Sequence, residues 1–144
     1  MKTFGIYIHI PFCSYKCIYC DFYSLTNSEY LIDDFVNNLC TEIDITCKSN
    51  DSKPRISTIF IGGGTPSLLS AIHLEKIINN LIKNFSTDDL REFSIEANPG
   101  ELSYEKMKDF KSIGINRLSL GVQSFNKRTL KQLSRWHNEN ECVK

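Results

Sequence analysis

Tyr7-Ile8-His9-Ile10-Pro11-Phe12-Cys13-Ser14-Tyr15-Lys16-Cys17-Ile18-Tyr19-Cys20-Asp21-Phe22 places cysteines at intervals of four and three residues directly behind a short apolar run. That run, Phe4 to Ile10, is rich in β-branched and aromatic residues and stops at Pro11, which cannot donate to a ladder, so it predicts a first strand. Thiols converging on the loop that leaves a strand make a nest for a metal or a cluster. A structural zinc site closes with four ligands, usually as two pairs far apart in sequence, and no second pair follows at a suitable spacing. Iron–sulfur clusters are held by cysteine thiolates, normally four for a cubane, so three on one loop leave one iron open to a small molecule. The alternative is a set of reduced core thiols, against which stands the rarity of free cysteines clustered on a strand-to-helix loop.

Beyond the loop, Thr26-Asn27-Ser28-Glu29 offers a capping box, and Leu31, Phe35, Leu39 and Ile43 recur beside Ile32, Val36 and Cys40. This predicts a long amphipathic helix on which Cys40 and Cys47 are packing thiols. A polar loop, Ser49 to Pro54, leads to a second strand, Ile56 to Ile61, that runs into Gly62-Gly63-Gly64-Thr65-Pro66-Ser67. Leu74, Ile77, Ile78, Leu81, Ile82 and Phe85 give the helical pattern once more, with His73 near its start as a surface or cap residue rather than a ligand. Glu92 to Ala97 predicts a third strand, stopped by Asn98-Pro99-Gly100, and Ser103 to Ile113 a helix closed by Gly114. Arg117 to Val122 predicts the fourth strand, and a last helix opens at Asn126 and carries Leu130 and Leu133. The order βαβαβαβα demands a parallel sheet with right-handed crossovers, an α/β fold of four βα units.

The 144 residues are one domain's worth, with 41% hydrophobic and 24% charged residues, enough to bury a core. The 17 basic and 17 acidic side chains are well mixed, so no footprint for nucleic acid or an anionic membrane is present. No run approaches the ~20 apolar residues of a membrane-spanning segment. Met1 to Ile8 mimics a signal sequence, but His9 and Pro11 interrupt it and no small-residue cleavage site follows. Six cysteines in a chain so well supplied with apolar residues fit a reducing compartment, and the expected location is cytoplasmic. Because Glu141-Cys142-Val143-Lys144 is polar and no strand that could close the sheet precedes it, residues 1–144 are expected to be an incomplete core with an exposed last edge.

In parallel α/β architectures, ligands bind at the carboxyl ends of strands. The cysteines follow the first strand and the glycines the second, while Glu96 ends the third and Gln123 the fourth. All the unusual residues therefore fall at one end of the sheet.

Cys-x3-Cys-x2-Cys resembles the signature of the radical S-adenosylmethionine (SAM) superfamily. The phrases Tyr7-Ile-His-Ile-Pro-Phe-Cys, Gly62-Gly-Gly-Thr-Pro-Ser, Ile95-Glu-Ala-Asn-Pro-Gly and Gly121-Val-Gln-Ser-Phe look like the family joining oxygen-independent coproporphyrinogen III oxidases to HemW-type heme chaperones. The resemblance runs from Tyr7 to His137. It implies the N-terminal part of a partial (β/α) barrel, with further barrel units and a C-terminal domain found in full-length relatives. It implies a [4Fe-4S] cluster on Cys13, Cys17 and Cys20, and SAM chelating the open iron. Tyr7 and Tyr19 would line SAM with their rings, and Gly63, Gly64 and Thr65 would let main-chain carbonyls reach its ammonium group. Glu96 would hold the ribose hydroxyls, Gln123 would offer an amide, and Arg135 would pair with the SAM carboxylate.

The resemblance leaves two functions open, and a third stands apart from it. In one, the chain is a heme chaperone, with heme as ligand, a heme-acceptor protein as partner and an electron donor for the cluster. In the other, a 5′-deoxyadenosyl radical starts the oxidative decarboxylation of coproporphyrinogen III, a porphyrinogen substrate. Phe22 stands where the oxidases usually carry a further cysteine, which favours the chaperone. A cluster or zinc module without SAM would leave the glycines, Glu96 and Gln123 unexplained. His137 lies near a histidine of the chaperones but is not assigned as a heme ligand, and His9 has no partner legible in the sequence.

Overall fold

The structure, a computed structural model, describes residues 3–47 and 53–142. Most of the polar loop expected between the first helix and the second strand lies outside them. Strand β1 spans Phe4–Ile10, helix α1 Ile32–Cys47, β2 Ile56–Gly63, α2 Ala71–Asn84, β3 Glu92–Ala97, α3 Tyr104–Ser112, β4 Arg117–Leu120 and α4 Lys127–Gln132. All neighbouring strands pair in parallel and lie in chain order, β1-β2-β3-β4. Each crossover thus advances one strand in the same direction, as in a barrel wall.

Alternation gives the sheet two different faces. Ile8, Ile10, Ile56, Ile59, Ile61, Phe93 and Ile95 are buried in one core with Ile32, Val36, Leu74, Ile77, Leu81 and Phe110 from the helices. Fully burying such a side chain contributes roughly 1.5–3 kcal/mol. An exposed ion pair such as Arg117 with Glu92, at 3.3 Å, contributes at most about 1 kcal/mol, so the apolar face sets the architecture. The opposite face carries Tyr7 and His9 on β1, Phe60 and Gly62 on β2, and Glu96 on β3, brought side by side by the register Tyr7↔Phe60, His9↔Gly62 and Phe60↔Ser94.

The local signals differ from the sequence reading in places. Thr26 and Glu29 form no capping box. Asn27 takes φ 55°, Ser28 Oγ donates to the Thr26 carbonyl at 3.0 Å, and the chain enters α1 through a 3-10 turn at Glu29–Leu31 with no side-chain cap. The reciprocal cap forms instead at α2, where Ser70 accepts from the His73 N–H and His73 Nδ1 accepts from the Ser70 N–H, both at 3.3 Å. His73 is thus the cap residue its position suggested. Strand β4 ends at Leu120 rather than Val122, because tight turns from Val122 N–H to Leu120 O and from Ser124 N–H to Val122 O break the ladder. Cys40 packs in the core, its thiol 3.9 Å from the Lys76 carbonyl, and burial raises its pKa; Cys47 is half-buried. Among the described residues, no helix is long and apolar enough to cross a membrane.

A candidate cluster and cofactor site

The cysteine loop is closed at its neck. Leu25 N–H donates to Pro11 O at 2.6 Å and Cys13 N–H to Leu25 O at 2.9 Å, so the segment between leaves and returns to one point at the end of β1. The exit of β2 is laced onto the same point, with Gly64 N–H on Ile10 O at 2.8 Å and Thr65 N–H on Phe12 O at 2.7 Å. A β-carbon on Gly64 would stand 2.5 Å from the Phe12 carbonyl oxygen and 2.9 Å from Cys13 Sγ. The glycine run therefore admits the cysteine loop itself, a close approach beyond the SAM contact that the resemblance implies for it.

A cavity of about 320 Å³ opens at the carboxyl ends of the strands. Cys13, Cys17 and Cys20 line it, as do Tyr19, Gly63, Gly64, Thr65, Glu96, Gln123 and Arg135. Cys13 and Cys17 are buried and Cys20 is half-buried, all with free thiols. Among the described residues, no group of His, Cys, Asp or Glu side chains converges closely enough to hold a single metal ion. A cubane does not ask for that, since each thiolate binds a different iron. Three thiols around a shared hollow, with Gly63 and Gly64 also on its wall, fit a cluster better than a mononuclear ion.

Tyr7 lies outside the cavity wall. Its ring stacks on Phe60 at 6.1 Å between centroids, and a β-carbon on Gly62 would touch both it and Glu96. Burial first, and the Glu96 charge second, raise its pKa. Tyr19 is likewise raised, by burial and then by Cys17. Glu96 Oε2 accepts from the Gly63 N–H at 3.1 Å, and Gln123 is held at φ 62° in the turn after β4. Arg135 reaches across the site: Nη1 donates to Cys17 Sγ at 3.3 Å, and Nη2 to Asn98 Oδ1 and Gly121 O, both at 2.7 Å. Its Nε is buried without a partner among the described residues.

Sequence reasoning missed two residues here. His9 Nε2 donates to the Tyr23 carbonyl at 2.9 Å, which leaves Nδ1 to accept from Tyr7 OH at 3.1 Å and ties the far end of the cysteine loop to β1. Asn98 read as turn punctuation before Pro99, yet it bonds to Thr65, Glu101 and Arg135. Its place just beyond Glu96, at the ligand-bearing end of β3, was the available signal.

The sequence profile of the Radical SAM superfamily matches residues 7–144. The chain is 39% identical over 143 residues to the heme chaperone HemW of Escherichia coli, covering 99% of this chain and 38% of that protein. It is 44% identical over 138 residues to the heme chaperone HemW of Bacillus subtilis, covering 94% of this chain and 36% of that one. The chain therefore spans little more than a third of these relatives. Among solved structures, it superimposes on coproporphyrinogen III oxidase (HemN) from Escherichia coli, described as a radical SAM enzyme, with a TM-score of 0.88 and 30% identity over 97% of this chain and 32% of that one.

Proposed function

The chain belongs to the radical SAM superfamily, and on that premise we propose that it binds a [4Fe-4S] cluster and SAM in a protein of the heme chaperone type. The observation that carries this is a single cavity lined by Cys13, Cys17, Cys20, Gly63, Gly64, Glu96 and Arg135 at the carboxyl ends of the strands. Cys13, Cys17 and Cys20 would hold the cluster, and Gly63, Gly64, Thr65, Glu96, Gln123 and Arg135 would hold SAM. When bound, the pair supplies one-electron reductive cleavage of a carbon–sulfur bond.

The residues prepare that chemistry in stages. Gly64 and the loop neck fix Cys13 against the sheet, and Arg135 brings a permanent positive charge to within 3.3 Å of Cys17 Sγ. Glu96 keeps a carboxylate at the cavity wall, anchored by the Gly63 N–H. Tyr19, with its raised pKa, stays protonated at neutral pH and offers a ring and a hydroxyl to whatever occupies the mouth.

Heme as the ligand, a heme-acceptor protein as partner and a cytoplasmic location belong to the same proposal. The heme ligand and the acceptor protein rest on the heme chaperones at 39–44% identity, and the location on six cysteines in a chain with its own apolar supply. The second reading, a coproporphyrinogen oxidase, is supported by the superposition on that enzyme at 30% identity. Phe22, exposed at the cavity mouth where the oxidases usually have a further cysteine, favours the first.

Anaerobic reconstitution with iron and sulfide is the first test, with a [4Fe-4S] spectrum expected for the wild type and none for Cys17→Ala. Heme titration and an assay with coproporphyrinogen III, SAM and a reductant then separate the two readings. Stoichiometric heme binding without protoporphyrinogen is expected; sustained turnover without heme affinity would move the assignment to the oxidase.

A further inference from the structure

We propose that Asn98 is a positioning residue whose side-chain amide aims the Thr65 hydroxyl at Cys13 and the Arg135 guanidinium at Cys17, and so sets the reduction potential of the cluster. This inference rests on the cluster-binding reading above. Asn98 Nδ2 donates to Thr65 Oγ1 at 3.2 Å, and Thr65 Oγ1 lies 3.5 Å from Cys13 Sγ. On the other side, Asn98 Oδ1 accepts from Arg135 Nη2 at 2.7 Å, and Arg135 Nη1 donates to Cys17 Sγ at 3.3 Å. One amide thus joins two cysteines through two donors.

The directions are forced by what each group can do. An amide NH2 only donates, so Asn98 occupies an acceptor position of the Thr65 hydroxyl and leaves its single proton for the sulfur. A guanidinium only donates, so the Arg135 side must meet the amide oxygen, and the amide has one consistent orientation. Thr65 is 3% exposed, which shields its bond to Cys13 from competing water. The amide is itself pinned: Glu101 Oε2 accepts from Asn98 Nδ2 at 3.5 Å and from Ser67 Oγ at 3.0 Å. Room for the Asn98–Arg135 contact comes from Gly121, where a β-carbon would stand 3.0 Å from Asn98 Oδ1 and 3.4 Å from Arg135 Nη2.

Donors to thiolate sulfur stabilise the extra negative charge of a reduced cluster, so they raise its potential, and removing them lowers it. The sulfurs are charged in both oxidation states, so only the difference in bond strength between them moves the potential, and the expected size is about tenfold in the reduction equilibrium. For a one-electron couple, tenfold is about 59 mV.

The test uses the reconstituted wild type and the variants Asn98→Ala, Thr65→Val, Thr65→Ser and the Asn98→Ala/Thr65→Val double. Iron and sulfide content is measured first, and an EPR-monitored redox titration without SAM then gives each midpoint. Asn98→Ala and Thr65→Val are expected to shift the midpoint negative by about tenfold in the equilibrium, Thr65→Ser to retain it, and the double to shift by less than the sum. A fully loaded Asn98→Ala protein with the wild-type midpoint overturns the inference, as do equal midpoints for Thr65→Val and Thr65→Ser. A wild type that takes up no iron overturns the cluster reading instead. Should Asn98→Ala fail to load, Asn98→Ser takes its place, with the same negative shift expected and a wild-type midpoint again overturning the inference.

Discussion

Gly63 lies against the ring of His9: its φ is 115°, and a β-carbon on it would meet the imidazole at 2.9 Å and the Ile10 carbonyl oxygen at the same distance. The end of β2 is thus both conformationally and sterically reserved for glycine, at the point where the sheet delivers the Gly63 N–H to Glu96. Gly114, with φ 96° and nothing among the described residues within 4 Å of a β-carbon placed on it, shares only the conformational half of that demand. Gly114→Ala should cost about 1 kcal/mol for holding alanine in the left-handed region, and Gly63→Ala distinctly more. Equal unfolding free energies for the two variants in urea would show that His9 moves aside without penalty.

The cysteines divide by environment. Cys13, Cys17 and Cys20 line the cavity, whereas Cys40 is buried between α1 and α2 with its thiol near a carbonyl, and burial also raises the pKa of Cys47. Cys40→Ser and Cys47→Ser should therefore leave the iron content of the reconstituted protein unchanged. The Cys40 change should lower stability by roughly 1 kcal/mol, because it places a hydroxyl in a packed apolar site. Loss of iron from either variant would show that the ligand set is misassigned.

At the start of α2, His73 closes the reciprocal cap with Ser70 and also bonds through Nε2 to Asp33 Oδ1 of α1 at 2.8 Å. Ser70→Ala and His73→Ala should each lower stability by about 1 kcal/mol, the usual cost of a lost N-terminal cap. The double variant should lose less than the sum, since each residue's bond depends on the other. Strict additivity in chemical denaturation would separate the two interactions.

His137 is 4% exposed, donates through Nε2 to Val122 O at 3.1 Å, and has a buried Nδ1 with no partner among the described residues. Burial first, and the Arg135 charge second, hold its pKa below the usual 6.5. The unfolded chain therefore binds a proton at a higher pH than the folded one. Stability is complete above about pH 6.5 and declines as pH falls from there through the folded pKa. Unfolding free energies between pH 5 and 8 should show this decline in the wild type and a shallower one in His137→Gln; identical profiles would assign the pH dependence elsewhere.

The strands were legible because short runs rich in β-branched and aromatic residues stop at Pro11 and at Asn98-Pro99-Gly100, and β1 and β3 fall at the residues expected, whereas β2 runs past the expected Ile61 through Gly62 and Gly63. The helices were legible through their spacing. The cap of α1 was not, because Thr26-Asn27-Ser28-Glu29 satisfies the pattern while Asn27 adopts a backbone conformation that takes Thr26 out of capping position. The cavity's inner contacts were beyond reach for another reason. Asn98 acquires its role from Thr65, 33 positions before it, and Arg135, 37 after it, which only the parallel register brings together. Tyr7, expected to line SAM, stacks on Phe60 and is not among the residues that line the cavity.

Glu96 offers the most direct test of how the cavity would hold SAM. Its Oε2 accepts the Gly63 N–H at 3.1 Å, which leaves the other carboxylate oxygen free of protein partners among the described residues and the side chain on the cavity wall. Glu96→Gln keeps an oxygen for Gly63 and so should preserve both the fold and cluster uptake, while replacing a charged acceptor by a neutral one. A hydrogen bond to a charged group contributes roughly 1.5–3 kcal/mol, so the affinity for SAM should fall about tenfold or more if the ribose hydroxyls donate to this carboxylate. Calorimetric titration of the cluster-loaded protein with SAM reads that change directly. An unaltered affinity in a fully loaded Glu96→Gln protein would remove Glu96 from the SAM contacts and leave it the narrower task of holding the Gly63 turn.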